Sequence, residues 1–446
     1  MSDLLSIGAS GVRAYQTALT TVSENIANAG NASYARRTSN IREMSGGTGF
    51  NTTSPNGMGA LVESIGRAGN AYADQSLRTA SADLSRTEAG SVWLERVETA
   101  LGSGALSSRM TGFFAASTAL QADPTSTALR AGMLSAASSV ADSFGVTARA
   151  LDSAMTELDG QATQAAAELT RLNQAMLKVN QGLVRSAPGT SATAALADQR
   201  DDLLQQMSAL TDVSVKLDEY GRATVRAGGA NGPVLVDAKD AGEVAYGRTA
   251  GNVALAVRSP GGAATLFDPD GGSLAGMVEG AQRIASNRDT LARVAGDLTD
   301  TVNTLQAQGE DAKGVKGTDF FQSNPADPTD FSVKLTSGDG IAAARGGGTR
   351  DASNLAKLGT ERTTQGFEDR VQALVTDNAA TLKQRRLVSD AQTAIRDGAV
   401  TARSEVSGVN LDNEAVDLLK FQQAYQASSR VIQVAKETFQ SILEIR

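Results

Sequence analysis

The stretch LADQRDDLLQQMSAL, residues 196–210, carries a dense group of charged side chains. Asp198, Asp201 and Asp202 lie within four residues of one another around Arg200, and paired carboxylates are the groups that general acid–base catalysis uses. On a helix, however, such a run is usually a solvated face with local ion pairs worth a few tenths of a kcal/mol each. The pattern favours surface ion pairs over catalysis. The functional alternative is that Arg200 contacts a neighbouring subunit.

Other catalytic chemistry has little support in the composition. The chain contains no histidine and no cysteine, which excludes imidazole bases, thiolate nucleophiles, disulfides and nearly all transition-metal ligation. DPDGG at residues 268–272 lacks the later ligands of a calcium loop, so a turn between strand and helix is favoured. The glycine clusters near Gly46 and at residues 346–348 lack the lysine of a phosphate-binding loop and indicate connections. We predict no enzyme activity and no catalytic, cofactor-binding or metal-binding residue.

Charge and hydropathy narrow the classes of partner. The 446 residues carry a formal net charge of −8, so no basic surface for nucleic acid or anionic lipid is expected. No window approaches the roughly 20 apolar residues of a transmembrane helix. The opening MSDLLSIGASGVRAYQTAL lacks the basic start and unbroken apolar run of a cleavable signal peptide. We expect no nucleic-acid partner, no membrane partner and export by another route, if the protein is exported.

Apolar residues recur every seven positions near both ends of the chain. A single terminal amphipathic helix is most often an ordinary bundle helix, but each of two matched helices buries one side and needs a partner. We therefore predict that the two ends pair as a coiled coil and form the assembly interface. Its residues are Leu5, Val12, Tyr15, Leu19, Val22, Ile26, Leu411, Leu418, Phe421, Tyr425, Ile432, Ala435, Phe439 and Ile442.

The middle of the chain is predicted to be mainly helical. One very long helix is expected between Pro124 and Pro188, with a kink near Gly145 or Gly160 left open, because each glycine weakens a helix by about 1 kcal/mol. Further helices are expected around 70–101, 108–121, 191–210, 276–308 and 367–403. The helical seam of the long helix consists of Leu151, Met155, Leu158, Ala162, Ala165, Leu169, Leu172, Met176, Val179 and Leu183.

Alternating apolar and polar residues with glycine and proline punctuation predict a small antiparallel β domain at 213–275. The predicted fold class is thus mainly α with a β insert: paired terminal helices, an elongated helical bundle and the β domain. The domain boundaries are 1–60 with 404–446 for the terminal helices and 61–212 with 276–403 for the bundle. The stretch 309–348 is a candidate to join the β domain as another hairpin.

The segment YQTALTTVSENIANAGNASYARR, residues 15–37, resembles the amino-terminal signature of bacterial flagellar axial proteins, in which an amphipathic helix runs into S-x-N-I-A-N-A and then a tyrosine. Asn31 and Ser33 replace the usual threonine and glycine before that tyrosine. The residues that match the signature directly are Ser23, Asn25, Ile26, Ala27 and Asn28.

The carboxyl-terminal segment SGVNLDNEAVDLLKFQQAYQASSRVIQVAKETFQSIL, residues 407–443, resembles the ending of the hook-associated protein 1 family (FlgK type), the hook-filament junction proteins. Asn413 stands where an acidic residue is common. Three internal stretches agree with the same family, at 196–210, 302–321 and 351–358, although Gln306 lies near the place of a frequent histidine.

This resemblance implies a structural protein that is exported through the flagellar type III apparatus and forms a ring between hook and filament, outside the cell. It implies self-assembly through an inner tube of terminal helices, with hook protein, a second junction protein and an export chaperone at the C-terminal helix as partners. The alternatives are another axial protein (hook, rod or flagellin-like), a flagellar variant with an enzymatic insert, and a secreted coiled-coil effector.

Overall fold

Long helices dominate the part of the chain that the structure, a computed structural model, describes: residues 2–44, 59–249 and 251–444. The predicted glycine connection near Gly46 lies outside these residues. The helices are α1 (Ser2–Ala27), α2 (Ala71–Ser103), α3 (Leu106–Ala122), α4 (Thr127–Arg185), α5 (Ser191–Leu210), α6 (Gly272–Gln308), α7 (Ser353–Gln365), α8 (Phe367–Ser407) and α9 (Leu411–Glu444).

The strands form small antiparallel sheets, so the β insert is confirmed. Two sheets have three strands each, in the orders β3-β4-β5 and β6-β7-β8. Two further sheets are hairpins, in which β1 pairs with β2 and β9 pairs with β10. Their bounds are β1 (Arg37–Glu43), β2 (Ala60–Arg67), β3 (Val213–Leu217), β4 (Ala223–Ala227), β5 (Val234–Val236), β6 (Glu243–Thr249), β7 (Asn252–Arg258), β8 (Ala264–Phe267), β9 (Phe321–Asn324) and β10 (Asp327–Val333).

Helix α4 runs for 59 residues, about 88 Å at 1.5 Å per residue. It begins after Ser126, whose side chain accepts a hydrogen bond from the amide of Leu129, an N-cap that satisfies an otherwise free backbone donor. The helix is continuous through Gly145 and Gly160. Every residue of the predicted seam from Leu151 to Leu183 is buried, so that prediction is confirmed.

Two apolar cores lie along α4. The first packs the amino-terminal half of α4 against α2, α3 and α6, and it contains most of the buried aromatic side chains. The second packs the carboxyl-terminal half against α5 and strands β4 to β7. Within the first core Trp93 is buried against Gly280, where a Cβ would lie 2.6 Å from the indole ring. One helix therefore joins the bundle to the β sheets.

The predicted turns are present where the structure can be compared. DPDGG connects β8 to α6, and Gly272 has a φ of +76° with a would-be Cβ 2.3 Å from the amide nitrogen of Thr211. That close approach requires glycine. GGG at 346–348 lies in the connection before α7. In the described ranges, no helix carries an apolar stretch long enough to span a bilayer.

Two elements were not predicted. The β1–β2 hairpin is built from RTSNIRE and ALVESIGR, in which polar residues occupy both faces of the first strand, so the alternation that marks a half-buried strand is absent. Helix α7 is short and mostly polar. The hairpin β9–β10 forms within 309–348 and packs on α4 and α6. The domain boundaries themselves stay a prediction.

Candidate functional site

The terminal helices α1 and α9 lie side by side and run in opposite directions. Residues further along α1 contact residues earlier in α9: Gly8 lies against Ile432, and Tyr15 lies against Phe421. The ring centroids of Tyr15 and Phe421 are 6.4 Å apart. A hydrogen bond of 2.9 Å between Asn25 and Glu414 joins the far end. The predicted pairing of the two ends of the chain is confirmed.

Toward the amino terminus of α1, the face that contacts α9 carries two glycines. A Cβ added to Gly8 would lie 2.7 Å from Cγ1 of Ile432, and one added to Gly11 would lie 2.7 Å from Oγ of Ser428. Ala14 and Ala18 are also buried. The two backbones therefore approach more closely than a seam of large side chains would allow.

The predicted residues of α1 differ in how far they are buried. Leu5 is 40% exposed and Ile26 37% exposed, while Val12 and Leu19 are half-buried. Leu5 and Ile26 therefore lie at the edge of the contact. Tyr15 and Val22 face α9 as predicted, because Tyr15 contacts Phe421 and Val22 is buried.

On α9 the middle of the predicted seam faces α1 and its ends do not. Ala435 is buried, whereas Leu411, Phe439 and Ile442 are exposed. The remaining seam residues Leu418, Phe421, Tyr425 and Ile432 are half-buried. As an assembly interface, the predicted set stays a prediction.

A second apolar stripe on α9 escaped the sequence reasoning. Val416, Leu419 and Val434 are 65%, 59% and 60% exposed. With Gln423, Ala427 and Arg430 they follow spacings of three and four residues on the side of α9 that faces away from α1. The signal is present in the sequence, but Gln423 and Arg430 interrupt it. We call Val416, Leu419 and Val434 the outer stripe.

A buried polar cluster attaches the pair to the rest of the chain. The Glu414 side chain is 0% exposed. Its carboxylate accepts hydrogen bonds from Nδ2 of Asn25 at 2.9 Å and from Nε of Arg36 at 2.6 Å. Oδ1 of Asn25 accepts from the Tyr34 hydroxyl at 2.8 Å and from the Arg37 amide at 3.0 Å. We call these five residues the terminal clasp.

The electrostatics of the clasp depend on its burial. Burial raises the pKa of Tyr34 to about 12, with Arg37 opposing the shift, so the phenol stays protonated and donates to Asn25. The guanidinium carbon of Arg37 lies 4.8 Å from the centre of the Tyr34 ring, within range of a cation–π contact. Each polar group of Asn25 has a partner, which a buried amide requires.

The charge cluster on α5 continues the clasp. Asp198 accepts from Arg37 at 3.0 Å and from Arg67 at 2.7 Å. Asp201 accepts from Arg67 at 2.7 Å and pairs with Arg200 at 2.7 Å. The arginines of β1 and β2 thereby bind the terminal hairpin to the bundle.

The predicted solvated face is therefore wrong for Asp198, Arg200 and Asp201, all of which are buried, because the β1–β2 hairpin and its arginines cover this side of α5. Arg200 directs its guanidinium to Asp201 and to the carbonyl of Gly221 in its own chain. Asp202 is half-buried and accepts from the Ser33 hydroxyl at 2.7 Å. Sequence spacing alone could not identify partners more than 100 residues away.

These contacts attach the terminal helix pair firmly to the bundle. Asp198 and Asp201 are held by two arginines each, and Glu414 by Asn25 and Arg36, so each carboxylate is fixed by charge-assisted hydrogen bonds. Among the described residues, no group of three or more acidic side chains is placed to hold a metal ion. What the geometry does provide is a fixed attachment of a helix pair whose outer stripe is apolar and uncovered.

Comparison with known proteins places these features in a family. The family model described as flagellar hook-associated protein FlgK helical domain matches residues 94–321, just over half of the chain. A second model, described as flagellar basal body rod FlgEFG protein C-terminal, matches residues 400–445, which contain α9 and the end of α8.

Curated relatives align along nearly the whole chain. The chain is 24% identical to flagellar hook-associated protein 1 of Salmonella typhimurium, with 100% of both chains covered. It is 23% identical to the protein of the same name in Escherichia coli K12, covering 100% of both. Its identity to the one in Bacillus subtilis 168 is 21%, over 96% of this chain and 95% of that one.

A solved structure shows the same fold. The flagellar hook junction protein FlgK from Burkholderia pseudomallei superposes with a TM-score of 0.50 at 19% identity, over 56% of this chain and 47% of that chain. The chain thus spans about half the length of this solved relative. With the helical-domain match over half of its residues, the chain belongs to the FlgK family of flagellar hook-associated proteins.

Proposed function

We propose that this protein is a structural subunit of the bacterial flagellum that forms the junction ring between hook and filament by polymerising through α1 and α9. The family match and the names of the relatives support the flagellar role. The match of residues 400–445 to the rod-protein C-terminal model supports assembly through the C-terminal helix, because that model describes other flagellar axial proteins.

The outer stripe of α9 is the observation that carries the proposal. Val416, Leu419 and Val434 remain largely exposed although α9 is already packed on α1. Covering an exposed valine or leucine side chain is worth about 1–2 kcal/mol, so a neighbouring copy gains several kcal/mol by packing here. A face that contacts a different face of the next copy generates a ring when the rotation closes. Four predicted interface residues near the helix ends are exposed as well: Leu5, Leu411, Phe439 and Ile442.

The remaining parts of the proposal concern place and partners. The subunit is extracellular, reaches the flagellum through the flagellar export apparatus without a cleavable signal peptide, and contacts hook protein on one side and a second junction protein on the other. An export chaperone holds α9 before assembly. In this proposal 1–60 and 404–446 form the inner tube, the helical bundle surrounds it, and the β domain projects outward.

The test compares two substitutions of the same kind. Leu419→Asp places a charge in the outer stripe, and Leu266→Asp places one on β8, where Leu266 is also largely exposed. Each variant is expressed in a strain that lacks the native gene. We expect Leu419→Asp to leave the monomer folded, with hooks that lack filaments and flagellin released into the medium. Leu266→Asp should support normal junctions.

Leu418→Asp separates assembly from pairing. Leu418 is half-buried in the α1–α9 pair, so its variant should lose both the pairing and the incorporation while the bundle stays folded. Normal junctions assembled from the Leu419→Asp protein would contradict the proposal, as would equal loss of function in the Leu266→Asp strain. Circular dichroism of each purified monomer checks the fold.

A further inference from the structure

A cleft of about 470 Å³ lies where the terminal segment meets the bundle. Its walls come from the loop between α1 and β1, from α2, from α5 and from the carboxyl-terminal part of α8. Three arginines line it: Arg78 from α2, and Arg396 and Arg403 from α8. Tyr34 of the terminal clasp also lines the cleft, but neither the clasp nor the outer stripe uses these three arginines.

Arg403 is bonded to two groups of its own chain. Its Nε donates to Asp74 at 2.9 Å, and its Nη1 donates to the carbonyl of Ala32 at 3.0 Å. These bonds tie α8 to α2 and to the loop after α1. Arg403 therefore forms a fixed wall of the cleft and leaves the binding capacity to the other two arginines.

Arg78 has no such partner. Across the residues that the structure describes, no hydrogen bond or ion pair joins its guanidinium to another group. Burial lowers its pKa, although the nearby carboxylates of Asp74 and Asp201 oppose the shift. Its N–H donors are therefore free to bind an acceptor that enters the cleft.

Arg396 is incompletely satisfied in the same cleft. Its Nε is buried and donates no hydrogen bond, although a carboxylate oxygen of Asp397 lies 3.1 Å away. Arg78 and Arg396, on two helices that pack together, thus line the same cleft. Planar guanidinium groups recognise carboxylates through paired hydrogen bonds.

The other lining residues select the kind of anion. Asp74, Asp201 and Asp202 already accept hydrogen bonds, from Arg403, Arg67 and Ser33 among others. Their negative charges disfavour a dianion such as phosphate, whereas a single carboxylate matches one unpaired arginine. Apolar side chains of Leu77, Val400 and Val409 also line the cleft, and they suit a short hydrocarbon stem behind the carboxylate.

We propose that this cleft binds a carboxylate group, with Arg78 as its principal donor and Arg396 as the second. The group has two possible sources: a small carboxylate in solution, or an acidic side chain of a second copy of this chain. The second source rests on the proposed self-assembly, and the first does not.

The first arm of the test uses the purified full chain. Thermal unfolding is measured as acetate replaces chloride at constant ionic strength. We expect the midpoint of the wild type to rise by about 1–2 °C, the rise to disappear in Arg78→Met, and part of it to return in Arg78→Lys. Arg109→Met is the matched control, because Arg109 is an exposed arginine on α3, and it should respond like the wild type.

The second arm measures incorporation of the same variants into junctions in cells. If the carboxylate belongs to a second copy, Arg78→Met lowers incorporation and Arg109→Met does not, even where acetate has no effect on the monomer. Arg78→Lys, which keeps the charge, decides the outcome if Arg78→Met fails to fold in chloride. Equal acetate responses in all variants together with unchanged incorporation would overturn the proposal. If the wild type itself does not assemble, the proposed function fails, and the acetate arm alone decides the cleft.

Discussion

Glu414→Ala should release the terminal helices from the bundle without unfolding the bundle. The substitution removes the acceptor for Nδ2 of Asn25 and Nε of Arg36. Breaking a buried pair by removing one partner costs about 3–5 kcal/mol. The cost here is smaller, about 2–3 kcal/mol, because the Arg36 side chain is 29% exposed, Arg36 also contacts Asp417 at 3.3 Å, and Asn25 keeps a bond of 2.8 Å to the carbonyl of Arg37.

Hydrogen exchange read by mass spectrometry measures this cost segment by segment. At 1.4 kcal/mol for each factor of ten, amides of α1 and α9 should exchange about 30 to 150 times faster in the variant. Amides of α4 should not change, because the helix seam from Leu151 to Leu183 is buried away from the clasp. Asp417→Ala is the control, since Asp417 is half-buried and its longer contact is worth less than about 1 kcal/mol.

Two results would refute this reasoning. If exchange in α1 and α9 rises less than about threefold, well under the expected cost, the clasp does not hold the helix pair. If α4 accelerates as much as α9 does, Glu414 belongs to the global stability of the chain and not to a separate attachment. Equal effects of Glu414→Ala and Asp417→Ala would show that burial of the carboxylate is irrelevant.

Two further predictions concern the bundle and the β insert. Gly280→Ala should lower the free energy of unfolding by about 1–3 kcal/mol, because its Cβ would lie 2.6 Å from the buried Trp93 ring. Gly160 faces open space, so Gly160→Ala should raise the free energy of unfolding by up to about 1 kcal/mol. Urea unfolding of both variants measures these changes. Hydrogen bonding from Arg248 holds the pKa of Asp159 below its ordinary value. The stability that this ion pair adds is therefore present above pH about 4 and is lost as the pH falls through the folded-state pKa of Asp159. Asp159→Asn should flatten the acid dependence of the melting temperature.

The helical framework was predictable because its signal is local. The seam of α4 repeats every three or four residues, and each seam residue is buried. Observed helices such as Gly272–Gln308 and Phe367–Ser407 begin or end within a few residues of the predicted bounds. Periodicity of this kind needs no knowledge of the partner, since any apolar neighbour satisfies it.

The contact face of α1 was only partly predictable by the same rule. Heptad reasoning favours large apolar residues at the seam, and α1 offers them at Leu5, Val12 and Leu19. The face that contacts α9 instead combines Tyr15 and Val22 with the small residues Gly8 and Gly11. Small residues become a contact face only when the partner supplies the bulk, as Ile432 does here, and a single helix sequence does not contain that information.

The clasp escaped prediction for a different reason, which bears on what it does. Asn25 and Glu414 are 389 positions apart, and polar side chains carry no period that would link them. Yet polar contacts are what a joint of this kind requires. Apolar surfaces bind without fixing direction, while hydrogen bonds and bidentate arginine pairs demand particular angles. Because burying such groups adds little net stability, their contribution here is orientation.

Orientation matters most where the chain must meet copies of itself. In the proposed ring, the outer stripe of α9 contacts a neighbour through apolar residues such as Leu419, which tolerate rotation and sliding. The angle between the helix pair and the bundle must then be set elsewhere, and the clasp is placed to set it, since Arg37 and Arg67 bind α5 through Asp198 while Glu414 holds α9. In this proposal the outer stripe provides the binding between subunits, and the terminal clasp sets the angle at which they meet. Substitutions in the outer stripe should therefore weaken assembly. Substitutions in the terminal clasp should let assembly proceed with subunits at the wrong angle.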